Sequence, residues 1–265
     1  MGTELLRINK ELAVDKQHRK RVHSLQRGYI SKQAQSMNNR EKQKVGAVIV
    51  AAGSSQRMGG IDKVFTKLGD KPVLVHVVDA FQKCNSISQI VAVLSQQNLE
   101  PGRKLISEQG YDKKIDVCPG GERRQDSVAA GLKQLEKCDW VVIHDGARPL
   151  ITVELIEQGL ETARETGSAI AAVPVTDTIK VAGDDQIVQG TPPRHSLWVV
   201  QTPQVFRFDI INQAYQQLKY EVTDDARAVE QAGQQVKIYM GTYDNIKITT
   251  PDDLALAEIL LRKRE

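Results

Sequence analysis

The sequence predicts an α/β fold, a Rossmann-like three-layer sandwich around a mainly parallel sheet, with an antiparallel β-arm at about residues 176–200 for dimerisation. Three observations carry this expectation. From Val45 onward, short runs rich in Val and Ile alternate with longer segments of helical period. Near-continuous apolar strands separated by helices belong to parallel sheets covered on both faces. One stretch breaks the alternation with two short period-2 runs around Gly183-Asp184, the pattern of a hairpin that leaves the sheet.

In chain order, strands are expected at 45–52, 89–95, 114–119, 140–146 and 169–175, with a helix candidate between each and the next. Pro72 stands where a first helical turn begins, with Val73, Leu74, Val77, Val78 and Phe81 on one face. Later helices start near Gln125 and at Thr152, whose hydroxyl suits an N-cap. The arm-like stretch extends from Thr176 to Pro203 and contains a Pro-Pro pair; arms of this kind pack on a second subunit. Beyond it, helices are expected near 208–219 and 224–232, and strands at 236–240 and 246–249. A last helix follows Thr250-Pro251-Asp252-Asp253, which supplies an N-cap, Pro at N1 and acids in the first turn.

The 265 residues are 40% hydrophobic and 26% charged, with a net charge of +3, far from the composition of disordered chains. No apolar run reaches the ~18–20 residues of a membrane span, so no membrane partner is expected. The first residues lack the apolar centre of a signal peptide, and Glu4, Glu11 and Asp15 argue against a transit sequence. A cytoplasmic protein is expected. Cys84, Cys118 and Cys138 are odd in number and form no CxxC, which points to thiols in or beside apolar segments rather than to disulfides or zinc.

The charge is unevenly placed. Residues 1–44 carry 11 Lys and Arg against 4 Asp and Glu, net +7, whereas the other 221 residues carry 25 against 29, net −4. The division is therefore a basic polar extension over 1–44, disordered or partly helical, and a folded domain over 45–265. HRKRVH at 18–23 has no interleaved aromatics and is a weak nucleic-acid signal. Nucleic acid is not an expected partner of the domain; for the extension it stays open.

In sheets of this class, ligands bind beyond the carboxyl ends of the strands. The first strand leads into AAGSSQRMGGIDK at 51–63. Small residues let backbone N–H groups approach a phosphate, and Arg57 and Lys63 supply charge in the same loop. Neither G-x-G-x-x-G nor G-x-x-x-x-G-K-[ST] is present, so this is an anion-binding loop of another kind. The third strand ends in CPGGERRQDSV and the fourth in HDGARP, giving three glycine-bearing strand ends that can meet at one crevice.

Six ordered motifs over residues 45–265 make the chain similar to the 2-C-methyl-D-erythritol 4-phosphate cytidylyltransferase (IspD) family of the non-mevalonate (MEP) isoprenoid route. They are AAGxxxRMxxxxK, GGERRxDSV, HDGARP, PVTDTIK, WxxQTPQxF and DNIKITTPDDLALAE. The resemblance implies a nucleotidyltransferase in which the phosphate of methylerythritol phosphate attacks the α-phosphorus of CTP. Pyrophosphate is released, and Mg²⁺ or another divalent cation accompanies CTP. It also implies a homodimer through the β-arm.

Residue by residue, the resemblance assigns transition-state stabilisation to Arg57 and Lys63. CTP contacts fall to Ala51, Ala52, Gly53 and Ser54 in the first loop, to Gly120, Gly121, Glu122 and Ser127 after the third strand, and to Asp145, Gly146 and Arg148 after the fourth. Asp145 is also the implied metal ligand. Arg194, Lys247, Thr178, Thr223 and Asp224 would position methylerythritol phosphate, with Arg194 reaching across the dimer into the partner's site. His144, which alternates to the opposite face from Asp145, is expected to be structural. The chain departs from the family pattern at Ser55, where a glycine is common, at Gln56, where a basic residue is common, and at Glu122, where Asp is common.

Two other functions remain open on the sequence. A ribitol 5-phosphate cytidylyltransferase would share the CTP loops and differ at the polyol pocket. A nucleotide-binding or RNA-binding protein without turnover would rely on the basic extension.

Overall fold

The structure, a computed structural model, describes residues 43–53 and 62–264. The expected extension over 1–44 lies almost wholly outside the described residues, as do Ser54, Ser55, Gln56 and Arg57. In chain order the described strands are β1 (Val45–Ala51), β2 (Lys67–Leu68), β3 (Lys71–Pro72), β4 (Ile87–Leu94), β5 (Lys114–Pro119), β6 (Trp140–Asp145), β7 (Ser168–Pro174), β8 (Val181–Ala182), β9 (Val188–Gly190), β10 (Trp198–Arg207) and β11 (Lys237–Met240). The helices are α1 (Val73–Lys83), α2 (Leu99–Ser107), α3 (Arg124–Gln134), α4 (Val153–Thr166), α5 (Phe208–Gln217), α6 (Asp225–Gln231) and α7 (Pro251–Arg262).

Seven strands make the central sheet in the order β11-β7-β10-β6-β1-β4-β5. β1 pairs in parallel with β4 and with β6, β4 with β5, and β7 with β11. β10 alone runs antiparallel, between β6 and β7. The five strands expected between residues 45 and 175 are all present. Alternation within them explains the three layers. In β1, Ala47 and Ile49 face one core, shared with Leu74, Val77 and Phe81 of α1 and Ile156 and Leu160 of α4. Val48 faces the other, shared with Val128 and Leu132 of α3, Ile210 and Ile211 of α5 and Val229 of α6. Both faces are apolar because both are covered.

Two expectations are corrected. The excursion was expected to last to Pro203, but the chain re-enters the sheet at Trp198 as β10. Within the excursion only β8 and β9 form a hairpin separate from the central sheet. Residues 246–249 were expected to form a strand, and they do not. Ile246 and Ile248 alternate with polar residues there, yet they pack with Leu68, Val73 and Ala257 as a small third core beneath α7 instead of joining the sheet. The two predicted N-caps are present: Thr152 accepts from the Leu155 amide at 3.3 Å and Thr250 from the Asp253 amide at 3.3 Å.

Cys84 and Cys118 are buried, Cys138 is half-buried, and all three are free thiols. Among the described residues no helix is long and apolar enough to cross a membrane.

Candidate active site

The chain passes from β1 to β4 and β5 on one side and returns to β6 on the other, so the carboxyl end of β1 is a topological switch point. A pocket opens there. Of the residues assigned to the nucleotide and to catalysis, Ala51, Ala52, Gly53, Lys63, Gly121, Glu122, Ser127 and Asp145 line it, together with Arg124 and Lys247. A second pocket adjoins it and is lined by Arg148, Gln201, Thr202, Gln204, Thr223 and Asp224. Arg124, Asp145 and Lys247 belong to both.

Asp145, the last residue of β6, is at the centre of this junction. Its carboxylate is buried and meets Lys247 Nζ at 2.7 Å, Arg124 Nε at 3.2 Å and Arg148 Nε at 3.9 Å. Burial alone would raise its pKa, but Arg124, Lys247 and Arg148 together hold the carboxyl well below the usual carboxylate range. It is an anion across the whole physiological range. Its backbone N–H donates to Thr202 Oγ1 at 3.0 Å, which ties β6 to β10.

His144 is fully buried on the opposite face from the pockets, and its ring contacts explain its state. The Arg148 carbonyl can only accept, so Nε2 of the neutral ring carries the proton and donates to it at 3.1 Å. Nδ1 is then the acceptor, and the Thr202 hydroxyl, whose oxygen accepts from the Asp145 amide, donates to it at 3.1 Å. Burial pushes the His144 pKa down to about 4. The neutral ring braces the turn that carries Arg148.

Lys247 is aimed by its neighbours. Asn245, fully buried, donates to the Thr202 carbonyl at 2.8 Å and accepts at its own carbonyl from Arg148 Nη1 at 2.6 Å. On the other side, the Ile248 amide donates to the Ala147 carbonyl at 2.8 Å and its side chain is buried. Lys247 between them has little choice of backbone direction.

Glycines act beside the first pocket. A Cβ at Gly120 would lie 2.4 Å from Ala52 Cβ and 2.6 Å from Ser127 Oγ, and one at Gly146 would lie 2.8 Å from Ala51 Cβ. Neither glycine lines the pocket; each lets a neighbouring loop close against the end of β1. Ser127 Oγ accepts from the Gly121 amide at 3.2 Å and donates to the Arg123 carbonyl at 3.3 Å, which fixes the double-glycine loop on the first turn of α3. The amino end of that helix faces the pocket, a favourable place for negative charge.

Arg124 was not singled out in the sequence, since one of two adjacent arginines in GGERRQDSV carries no distinguishing mark. In the fold it joins the two pockets. It bridges Asp145 and the buried Asp225, contacting the latter at 2.9 and 2.8 Å, and Tyr215 Oη donates to Asp225 at 2.6 Å. Asp224 lies in the second pocket with both oxygens engaged, accepting from the Arg227 amide at 3.0 Å as the N-cap of α6 and from Gln204 Nε2 at 2.9 Å. Thr223 is exposed beside it. Thr178 and Arg194 line neither pocket; Arg194 is exposed and donates to the Thr176 carbonyl at 2.7 Å.

With this geometry in hand, comparison with known proteins is decisive. The sequence model of the family described as IspD, 2-C-methyl-D-erythritol 4-phosphate cytidylyltransferase, matches residues 45–263. The chain belongs to that family. A 2-C-methyl-D-erythritol 4-phosphate cytidylyltransferase of Dehalococcoides mccartyi is 53% identical over 221 residues, 83% of this chain and 97% of that protein. One of Alkaliphilus oremlandii is 45% identical over 227 residues, covering 83% and 96%. Among solved structures, the 4-diphosphocytidyl-2C-methyl-D-erythritol synthase of Anaerococcus prevotii superposes with a TM-score of 0.76 at 30% identity, covering 83% of this chain and 96% of that one. The cytidylyltransferase family thus accounts for the domain from its first strand to its last helix.

Proposed function

We propose that the two adjoining pockets are the two halves of one phosphoryl-transfer site, CTP occupying the first and 2-C-methyl-D-erythritol 4-phosphate the second. The supporting observation is that Arg124, Asp145 and Lys247 are common to both. An oxygen of the acceptor's phosphate bonds to the α-phosphorus of CTP as the bond to the bridging oxygen of the β-phosphate breaks. The electron pair leaves with pyrophosphate, and the product is 4-diphosphocytidyl-2-C-methyl-D-erythritol. Such a reaction needs no covalent enzyme intermediate; it needs alignment and cations placed where charge develops on phosphoryl oxygens. Lys63 serves the triphosphate, with Arg57 in the same loop but outside the described residues. Lys247 serves the acceptor's phosphate, and so does Arg148, which the resemblance assigned to CTP but which lines the second pocket and not the first; Asp145 keeps those cations in place.

A divalent cation belongs to this reading. Among the described residues no group of three or more His, Cys, Asp or Glu could hold a metal ion. One carboxylate facing a triphosphate still suits Mg²⁺, which keeps several waters and takes most of its other ligands from substrate phosphates. Asp145, whose oxygens already meet Arg124 and Lys247, would hold it through one of the ion's waters, and when bound it would neutralise charge on the phosphoryl oxygens.

The same reading makes the protein a cytoplasmic homodimer. Val181, Ile187 and Val188 on the hairpin and Trp198, Val199 and Val200 at the start of β10 are exposed apolar residues on one run of chain. Covering them with a second copy would bring Arg194 and Thr178 toward a partner's second pocket. The experiment is ³¹P NMR of the protein with CTP and methylerythritol phosphate. Equal amounts of pyrophosphate and the diphosphate-bridged product are expected; hydrolysis of CTP without that product would overturn the proposal.

A further inference from the structure

Lys63 has a long, flexible stem, and a lysine that must meet a developing charge needs its backbone held still. On its carboxyl side the chain is pinned. Val64 is buried in the core under β1, its carbonyl accepts from the Leu74 amide at 2.9 Å, and the Thr66 carbonyl accepts from the Val73 amide at 2.9 Å. On its amino side, the anchor is Asp62.

Asp62 organises the turn by itself. Its carbonyl accepts from the amides of Phe65 and Thr66, both at 3.1 Å, and from Thr66 Oγ1 at 3.1 Å. Its Oδ1 accepts from the Val64 amide at 3.2 Å, an Asx-type turn that straddles Lys63. The second carboxylate oxygen accepts from Asn98 Nδ2, a charge-assisted hydrogen bond. Asn98 closes the single turn Gln96–Asn98 after β4, its own amide donating to the Ser95 carbonyl at 2.9 Å, and the next residue, Leu99, is in the core. The Lys63 turn is therefore fastened through Asn98 to β4, the strand beside β1. Asn98 itself lines neither pocket.

We propose that Asn98 is a positioning residue for Lys63, acting through the Asp62 carboxylate to hold the lysine's backbone at the mouth of the nucleotide pocket. The proposal rests on the reading that Lys63 stabilises the transition state. It gives a role to two residues that neither the motifs nor the pockets single out.

The test uses the full-length protein with CTP and methylerythritol phosphate. Asn98→Asp sets a second carboxylate against that of Asp62, and kcat is expected to fall about 10- to 100-fold with KM for CTP changing less than about 3-fold. Asn98→Ala, which removes the donor without adding charge, should lower kcat about 10-fold. In the double variant Asp62→Asn/Asn98→Asp the amide and the carboxylate change places. The new amide still offers an oxygen to the Val64 N–H and now donates to the carboxylate, so kcat should return to within about 3-fold of the original. Thermal midpoints are recorded for all three, and Lys63→Met is run alongside.

Wild-type kcat in both Asn98 variants, or a folded double variant no better than Asn98→Asp alone, would overturn the positioning role. If Lys63→Met lost activity while the Asn98 variants kept it, the role of Lys63 would stand and only the anchor would fall. Normal turnover in Lys63→Met would remove both.

Discussion

Arg124 and Asp225, 101 residues apart in the chain, form a two-point ion pair at 2.9 and 2.8 Å, with the Asp225 carboxylate fully buried. The same guanidinium contacts Asp145 at 3.2 Å. Burial opposes the charge on Arg124, but Asp225 and Asp145 more than restore it and raise its pKa. One planar cation thus joins α3 at the first pocket, β6 at the centre and α6 at the second pocket.

Removing that cation leaves a buried carboxylate whose remaining side-chain partner among the described residues is Tyr215. Breaking a buried pair from one side typically costs ~3–5 kcal/mol. Arg124→Met should lower the unfolding free energy in urea by about 3 kcal/mol and abolish turnover, whereas Arg124→Lys, which keeps the charge but not the fork, should fall between. Equal stability of Arg124→Met and the original would contradict the account.

Lys247 holds a different place, since it is part-exposed and lines both pockets. Lys247→Met is expected to lower kcat about 100-fold and raise KM for methylerythritol phosphate, with KM for CTP less affected. Steady-state kinetics with each substrate varied in turn checks this.

His144 makes stability depend on pH in a defined window. Its pKa is about 4 in the fold and about 6.5 unfolded. Between these values the unfolded chain takes up a proton that the folded one refuses, so stability falls as pH falls from about 6.5 to about 4, by up to ~1.4 kcal/mol per pH unit from this group. Asp145 acts lower down. Its pKa is depressed in the fold, so its contribution is intact above about pH 4 and is lost below it. Thermal unfolding of the original and His144→Gln between pH 7 and 4.5 should show the shallower slope in the variant; parallel slopes would contradict the ring's neutral, buried role.

Arg194 offers a test of the dimer that needs no structure of it. If Arg194 serves the partner's site, then Arg194→Ala and Lys63→Met, each inactive alone, should recover activity when mixed and allowed to exchange subunits. One site of each mixed dimer then has both residues. If Arg194 acted within its own chain, mixing would recover nothing.

How much of this was legible in the sequence depended on how local the cause was. The strands β1, β4, β5, β6 and β7 were readable because a strand covered on both faces is a continuous apolar run; the two-residue strands β2 and β3 carry no such run. The helix starts at Thr152 and Thr250 were readable because a cap is made within four residues. What failed was set by distant partners. Ile246 and Ile248 read as a strand, yet the buried amide of Asn245 and the small core beneath α7 hold that segment as a loop. The first six residues of β10 read as part of the arm because they follow its period-2 runs and Pro-Pro pair with no helix between, and their return to the sheet shows only once β6 and β7 are seen to flank them. Arg124 could not be told from Arg123 without Asp225, and Asn98 carried no signal without Asp62. Asp145 and Lys247, by contrast, were placed by motif and meet in the fold at 2.7 Å.

Lys44, near the start of the described residues, is fastened to the turn before β6. Its amide donates to Asp139 Oδ2 at 2.8 Å and its carbonyl accepts from the Asp139 amide at 2.8 Å. Removing residues 1–42 should therefore leave kcat/KM within about 2-fold of the original, and a larger loss would assign the extension a part in turnover.

The central claim is that the paired pockets move a cytidylyl group from CTP to methylerythritol phosphate. The most direct measurement is pyrophosphate release with each of the four nucleoside triphosphates, offered with methylerythritol 4-phosphate or with ribitol 5-phosphate. The account predicts release with CTP and methylerythritol phosphate far above every other pairing; a preference for ribitol phosphate, or for another nucleotide, would contradict it.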